Sequence, residues 1–499
     1  MLFLHGVDFT HETAATPLFE NVDLALAAGW TGVVGANGAG KTTLLRLAVA
    51  ELSPRAGTIQ VPGTAVYCPQ RTDHQPTRLS ELVSATDADA RRTCGRLGVG
   101  ADWPGRWETL SHGERKRAQI AVALWQAPDV LAIDEPTNHL DSEARDWLAQ
   151  ALHTYAGIGL LVSHDRELLD ELCGQCLFLD PPSVVLRPGG YTDAARQAEG
   201  ERRAAAREHR QAKSVRKKLE HEAHRRRAEA SRADRKRSKR GIAPRDHDAK
   251  DKIDRARATG KDAVAGKLLR QIDGRLQQAR EREAQKSIRR EHELGIWLPG
   301  SRSQRNVLVR APAGKLPLSA GRWLHYPALA ILPTDRIALT GPNGAGKSTL
   351  VRHLIGRVNV PAEHVTYVPQ EIDIAATQEI IARTRALPRD KLGHMMMIVS
   401  RLNSRPERLL ESDLPSPGEL RKMLLALEIT QEPHLIVMDE PTNHMDLPSI
   451  ECLERALADC PCAMLLVSHD RRFLEKLTDK EWRLARGDAQ HRGYQLHEH

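Results

Sequence analysis

Apolar positions along this 499-residue chain fall into three regimes. Trp30 to Val34 (WTGVV) reads as a short buried strand and Leu44 onward (LLRLAVAEL) as an apolar-periodic helix, with the glycine-rich GANGAGKTT, Gly35 to Thr43, between them. Further buried strands are read at Val130 to Ile133 and in LLVSHDR, which ends at Arg166. The same order returns about 305 residues later: GPNGAGKST at Gly341 to Thr349, VPQ at Val368 to Gln370, VMDEPTNHMD at Val437 to Asp446 and VSHDR at Val467 to Arg471. An ordered series repeated at one spacing is a duplicated domain.

The third regime lies between the copies. From about Thr192 to Glu293 there is almost no proline and only a thin apolar seam. Val264, Leu268, Ile272 and Leu276 recur every four residues, and Val215 and Leu219 begin a sparser stripe. Gly241 to Pro244 interrupts this pattern, which predicts an antiparallel pair of long helices with its turn there. Arms of about 45 residues would reach roughly 65 Å at 1.5 Å per residue, too long for a mere connection.

Charge sharpens this division. The net charge is +8, but residues 201 to 293 hold 31 Lys and Arg against 16 Asp and Glu, a surplus of +15 that leaves −7 elsewhere. Such a basic protrusion suits a polyphosphate partner, and its lack of aromatics favours phosphate and sugar contacts over base stacking. Arg235, Lys236, Arg237, Lys239, Arg240 and Arg245 crowd the predicted turn as candidate RNA contacts. No run approaches about 18 apolar residues. The start MLFLHGVDFTHE has no secretory pattern, and the seven cysteines are scattered. The expectation is a cytoplasmic protein without a disulfide framework.

The repeated motifs carry nucleotide chemistry. Gly35, Asn37, Gly38 and Gly40 form a loop that turns backbone N–H groups toward phosphate at a helix N-terminus. Lys41 supplies charge for the β- and γ-phosphates, and Thr42, followed by Thr43, offers a hydroxyl to Mg²⁺. Asp134 is placed to hold Mg²⁺, and Glu135 to orient and deprotonate the attacking water. Gln70 suits sensing of metal and lytic water, and His164 a hydrogen bond to the γ-phosphate. Leu110 to Glu114 (LSHGE) opens a helix at which Ser111 and the backbone of Gly113 present donors to an anion. The second copy supplies Gly341, Asn343, Gly344, Gly346, Lys347, Ser348, Thr349, Gln370, Asp439, Glu440 and His469 in the same roles. Its donor segment differs: Pro415-Ser416-Pro417-Gly418-Glu419 flanks Ser416 with prolines. Both copies keep the carboxylate base, so both are expected to hydrolyse ATP with Mg²⁺.

Phosphate loop, Gln, LSxGE, DEPTNHLD and SHDR in this order resemble the ATP-binding cassette (ABC) superfamily. DEPTNHLD and SHDR, twice in a chain without a membrane segment, resemble its ABC-F branch of ribosome-acting ATPases. The resemblance implies two α/β P-loop ATPase domains, about 1–190 and 300–499, joined by an α-helical hairpin at 191–299. It also implies that each ATP is sandwiched between the phosphate loop of one cassette and the LSxGE segment of the other, within a monomer. Lys41, Gln70, Glu135 and His164 would then share one ATP with Ser416 and Gly418, and their counterparts the second with Ser111 and Gly113. The prolines around Ser416 imply slower hydrolysis in the first composite site. The hairpin resembles the linker that reaches rRNA and tRNA in the ribosome, implying modulation of translation or ribosome protection. A DNA-binding ATPase of repair is the alternative, and a transporter's energy module a weaker one. The helical arm inserted in many members has no room here, because Gln70 to Ser111 is too short.

Remaining features are read as packing. Phe9 is a candidate adenine platform or a core residue; in the second copy Trp323 and Tyr326 compete for that role. The Cys173/Cys176 and Cys460/Cys462 pairs lack further metal ligands and are expected in the core, as are Met395 to Met397.

Overall fold

A computed structural model describes residues 1–12, 14, 16–138, 140–236, 261–285, 301–318, 321–402, 417–429, 432–443, 445–487 and 493–498. The predicted hairpin turn at Gly241 to Pro244, the candidates Arg237, Lys239, Arg240 and Arg245, and Ser416 lie outside the described residues. The chain divides into one unit comprising Met1–Ala194 and His292–His499, and a second comprising Ala195–Glu291.

The first cassette is built on a six-stranded sheet in the order Ala65–Cys68, Val130–Asp134, Ile158–Val162, Gly29–Gly35, Cys173–Asp180, Ser183–Pro188. The first five strands run parallel and the last is an antiparallel edge. Val130–Asp134 and Ile158–Val162 are buried at every position, as parallel strands covered on both faces require. A separate antiparallel sheet joins Phe19–Leu26, Leu2–Phe9 and Ala56–Gln60, the first two alternating buried with more exposed residues and the third largely exposed. Its inner face packs against the main sheet and the helix Lys41–Ala48 in one core that includes Leu4, Phe19, Leu44 and Leu160.

The second cassette repeats the parallel sheet, with Val365–Val368, Leu435–Asp439, Ala463–Val467, Arg336–Thr340 and Lys480–Arg486 in that order. Here the outer hairpin joins the main sheet, because Trp323–Tyr326 pairs in parallel with Gly493–Glu498, making eight strands. In both copies the phosphate loop and the paired carboxylates follow the C-terminal ends of parallel strands that flank a common neighbour, Ile158–Val162 or Ala463–Val467. Ligands bind there in open α/β sheets.

In the second unit, helices Tyr191–Lys236 and Lys261–Gln285 run antiparallel, linked by Arg216 to Glu283, Arg280 to Glu220 (3.3 Å) and Arg227 to Asp273 (2.5 Å). Ile272 and Leu276 are buried as expected, together with Ala223 and Ala279. Val215 is not in the seam: it is 52% exposed, so the stripe expected to start there begins further along. No described helix is long and apolar enough to cross a membrane.

The cassettes meet through a buried ion cluster. Arg166, from SHDR of the first, donates to Glu454 and to Asp470 Oδ2 (3.2 Å) of the second, and Lys476 reaches Glu454 at 2.6 Å. Nearby, Arg472 binds Asp170 (2.7 Å) and Thr192 Oγ1 (2.9 Å), while Tyr191 donates to Glu451 (2.8 Å). Arg166 and Glu454 are almost wholly buried. Removing one member of such a cluster leaves buried charge uncompensated. Arg166→Ala is expected to cost about 3 kcal/mol, the low end for a broken buried pair because Lys476 still serves Glu454. The check is the urea unfolding midpoint; an unchanged midpoint would show that the cluster adds no stability.

Candidate ATP sites

Each phosphate loop owes its shape to a few backbone positions. Gly40 is the N-cap of the helix Lys41–Ala48 with φ 89°, and Gly346 caps Lys347–Ile355 with φ 98°. A Cβ at either would also stand 2.7 Å from a leucine methyl, of Leu18 or Leu318. Left-handed backbone and close approach together demand glycine there. Neither cap uses a side chain, so the first N–H groups of both helices keep their capacity for an anion.

The lysines fold back over these loops. Lys41 Nζ donates to the carbonyls of Gly35 (2.9 Å) and Ala36 (3.3 Å), and Lys347 Nζ to those of Gly341 (2.7 Å) and Pro342 (3.4 Å). Thr42 Oγ1 donates to Asp134 Oδ2 at 2.6 Å, placing the expected metal hydroxyl and metal carboxylate side by side. Tyr67 OH donates to the same oxygen at 3.2 Å. Thr43, the next residue, turns its hydroxyl to His11 (3.3 Å). Burial raises the pKa of both Asp134 and Asp439. Asp439 Oδ2 is buried with no hydrogen-bond partner among the described residues. A divalent cation would relieve that cost, so the donor set fits Mg²⁺.

The two general-base candidates share a backbone and differ in surroundings. Glu135 and Glu440 have φ 47° and 51°, and their amides donate to Val162 O (2.9 Å) and Val467 O (2.8 Å). A non-glycine residue in this region is unusual and costs energy that the neighbouring strand must supply. Around Glu135, His164 Nε2 stands 2.9 Å from Oε1 and its amide 3.3 Å from Oε2. Burial opposes ionisation of Glu135, but His164 and Lys41 outweigh it and hold its pKa below the usual range. In the second site His469 Nε2 lies 3.2 Å from both Lys347 Nζ and Asn343 Oδ1, and 3.5 Å from Glu440. Burial and Lys347 push His469 down to about 3. Burial lifts Glu440 to about 7, despite Lys347. Identical motifs thus place a histidine on the carboxylate in one site and on the lysine in the other.

The cassettes complete each other's loops. Asn37 N donates to Asp446 Oδ2 at 2.8 Å, and Asn343 N to Asp141 Oδ2 at 3.2 Å. Each aspartate ends a DEPTNHxD motif and uses its other oxygen to cap its own following helix, at Ala144 N (3.0 Å) and Ser449 N (2.9 Å). Asp141 and Asp446 were not among the predicted site residues, although Asp before an apolar-periodic run is an N-cap signal. A second pair was also missed. Lys116 Nζ donates to Pro69 O (2.6 Å) and Asp134 O (3.1 Å), and its counterpart Arg421 to Gln370 O, Asn443 O (2.7 Å) and Glu440 O (3.3 Å). These buried cations tie the helix after LSxGE to the carboxylate pair and to the backbone at the Gln. The Gln70 side chain itself is exposed.

Ser111 caps the helix His112–Trp125 in a capping box: its hydroxyl accepts from Glu114 N (3.3 Å), and Glu114 Oε2 accepts from Ser111 N (2.8 Å). Gly418 lies in the first turn of Pro417–Ile429. Phe9 is buried in the core, edge-on to His11 at 5.0 Å, so its face is not presented to a base. Tyr326 is core as well, bonded to His353 at 2.9 Å. Trp323 is the exposed aromatic of the second copy, with Lys315 over its ring at 4.7 Å.

Comparison with known proteins agrees with this architecture. The ABC transporter family profile matches residues 19–138 and 324–443. Tylosin resistance ATP-binding protein TlrC of Streptomyces fradiae is 31% identical, the alignment covering 97% of each chain. Ribosome protection protein VmlR of Bacillus subtilis (strain 168) is 28% identical over 95% of this chain and 85% of its own. In fold, the chain resembles archaeal ribosome recycling factor aABCE1, solved with the ribosomal stalk protein aP1 (TM-score 0.63, 17% identity, 98% of this chain and 89% of that one).

The crossing aspartates are open to test. Asp446→Ala removes both the cap and the bond to Asn37 and is expected to lower kcat about tenfold, or about 1.4 kcal/mol in the barrier. Asp446→Asn keeps two acceptor sites on its carbonyl oxygen and should recover part of the loss. Steady-state ATPase decides it; wild-type turnover in Asp446→Ala would remove the aspartate from the catalytic arrangement.

Proposed function

The chain belongs to the ABC-F family of ATPases, and from that membership we propose that binding of two ATP molecules closes its cassettes and gates docking of the basic hairpin on ribosomal RNA and tRNA. The observation that carries this reading is the reciprocal contact of Asn37 with Asp446 and of Asn343 with Asp141. A loop whose amide is held by the other cassette binds phosphate in a way that depends on closure.

In each site the γ-phosphate would draw Lys41 or Lys347 from the loop carbonyls onto its own oxygens, since a full anionic charge outcompetes neutral acceptors. Glu135 and Glu440 take a proton from the attacking water, and His164 and His469 hydrogen-bond the γ-phosphate. Asp134 and Asp439 with Thr42, Ser348, Gln70 and Gln370 would hold Mg²⁺, whose charge offsets that developing on the β- and γ-oxygens. Ser111 and Gly113 of one cassette, and Ser416 and Gly418 of the other, present donors to the nucleotide in trans. Hydrolysis releases the clamp.

The hairpin reads phosphate by charge, with Arg235, Lys236, Arg237, Lys239, Arg240 and Arg245 as contacts. The relatives' names, ribosome protection and tylosin resistance, support a role in translation with protection from a ribosome-directed drug, and hence a cytoplasmic setting.

A Glu135→Gln/Glu440→Gln double variant should hydrolyse little ATP and pellet with ribosomes when ATP is present; sedimentation free of ribosomes would overturn this reading. The single variants separate the sites. If the prolines flanking Ser416 slow the first composite site, Glu440→Gln should leave less residual ATPase than Glu135→Gln, and equal residual rates would sink that assignment.

A further inference from the structure

Two cysteines flank one proline at the turn between the helix Leu447–Ala458 and the strand Ala463–Val467. Their Sγ atoms lie 2.7 Å apart, inside ordinary nonbonded separation and under an ångström beyond the bonded length of about 2.05 Å. Both side chains are buried, yet Asp459 and Pro461 beside them are exposed, so the sulfurs lie one residue beneath the surface.

The surroundings differ from those of an inert core pair. Arg336 donates to the carbonyls of Leu457 (3.2 Å), Ala458 (3.1 Å) and Cys460 (2.5 Å). The first two are the last carbonyls of the helix, whose partial negative charge would otherwise oppose a thiolate. A fixed guanidinium therefore holds the turn in place and favours negative charge on sulfur. The hydrogen bond between the thiols lowers the pKa of Cys460 and raises that of Cys462. Cys173 and Cys176 form the contrast. They pack over Gly32, and burial pushes both thiols up.

The duplication provides an internal control. At the corresponding turn, before the strand Ile158–Val162, the first cassette has Tyr155 and Gly157. The fold builds this turn without sulfur, so packing alone does not call for two thiols.

We propose that Cys460 and Cys462 form a reversible dithiol–disulfide couple, a peroxide-oxidisable site in the second cassette. The Cys460 thiolate sulfur attacks one peroxide oxygen, the O–O bond breaks, and the departing hydroxide takes a proton to leave as water. Cys462 then gives up its proton, and its sulfur displaces hydroxide from the Cys460 sulfenic acid as a second water. The sulfur pair loses two electrons, the peroxide gains two, and a small thiol reverses the reaction by exchange. The bond would close the turn joining the helix capped by Asp446 to the strand that ends before His469. The device thus lies between two groups of the ATP sites without touching nucleotide.

The test uses the full-length native chain. After brief exposure to hydrogen peroxide, the remaining thiols are alkylated in denaturant and the tryptic peptide from Ala456 to Arg471 is weighed. The expected product has lost two hydrogens and accepts no alkyl group, forms about tenfold faster than any change at Cys173 and Cys176, and returns to the dithiol with dithiothreitol. In Cys462→Ser, whose folding is checked by thermal melting, Cys460 should stop at a sulfenic acid captured by dimedone. A native peptide that stays doubly alkylated, or that oxidises no faster than the Cys173/Cys176 peptide, overturns the proposal.

Discussion

Two carboxylates, Asp141 and Asp446, divide their oxygens between the cassettes, and the composite arrangement depends on that division. One oxygen of each caps its own helix; the other accepts from the amide of Asn343 or Asn37 across the interface. A helix cap has little positional freedom, because its acceptor must meet an amide two or three residues on. Each phosphate loop is therefore located relative to a helix of the other domain. The same motif begins at Asp134 or Asp439, so the carboxylate proposed for the metal, the proposed base and the crossing aspartate occupy eight consecutive residues. Relative motion of the cassettes must be felt by both reaction centres.

Reciprocity of backbone does not bring equality of charge. Both glutamates have positive φ and both accept the same strand support, yet His164 faces Glu135 and His469 faces Lys347. The first arrangement stabilises the ionised carboxylate. In the second the histidine stands further off, 3.5 Å from Glu440, and burial keeps more protons on Glu440 near neutrality. In the proposed cycle phosphate and cation would change the balance, since a lysine engaged with phosphate would no longer face the histidine. On that reading the second site would have more to rearrange before its proposed base is ready, independently of any effect of the prolines at Ser416.

Much of this was legible because motif and strand end coincide. Apolar runs at Val130 to Ile133 and Leu435 to Met438 can only be buried parallel strands in this context, and the carboxylates follow them. What escaped were partners chosen by three-dimensional proximity. Lys116 and Arg421 look like solvated charges on a helix, yet each reaches backbone carbonyls from segments distant in sequence. Period alone also misled at Val215, where the facing arm offers ion pairs rather than apolar cover. The joining of the outer hairpin to the main sheet in one cassette only depends on Trp323–Tyr326 meeting Gly493–Glu498. No local pattern announces that pairing.

Part of the hairpin's charge serves to hold its two arms together. Glu220, Asp273 and Glu283 sit on the seam, where they neutralise Arg216, Arg227 and Arg280 between the arms. Lys213, Lys217, Lys218 and Arg225 face outward and are exposed. Exposed ion pairs of this kind add little stability; among the described residues the buried seam holds Ala223 and Ala279 beside Ile272 and Leu276. The three seam acids remove repulsion where the arms meet. Glu208, Glu229 and Glu281 lie exposed among the outer bases, so the positive surface comes from the excess of Lys and Arg, 31 against 16 Asp and Glu over residues 201–293, and it complements a polyphosphate chain.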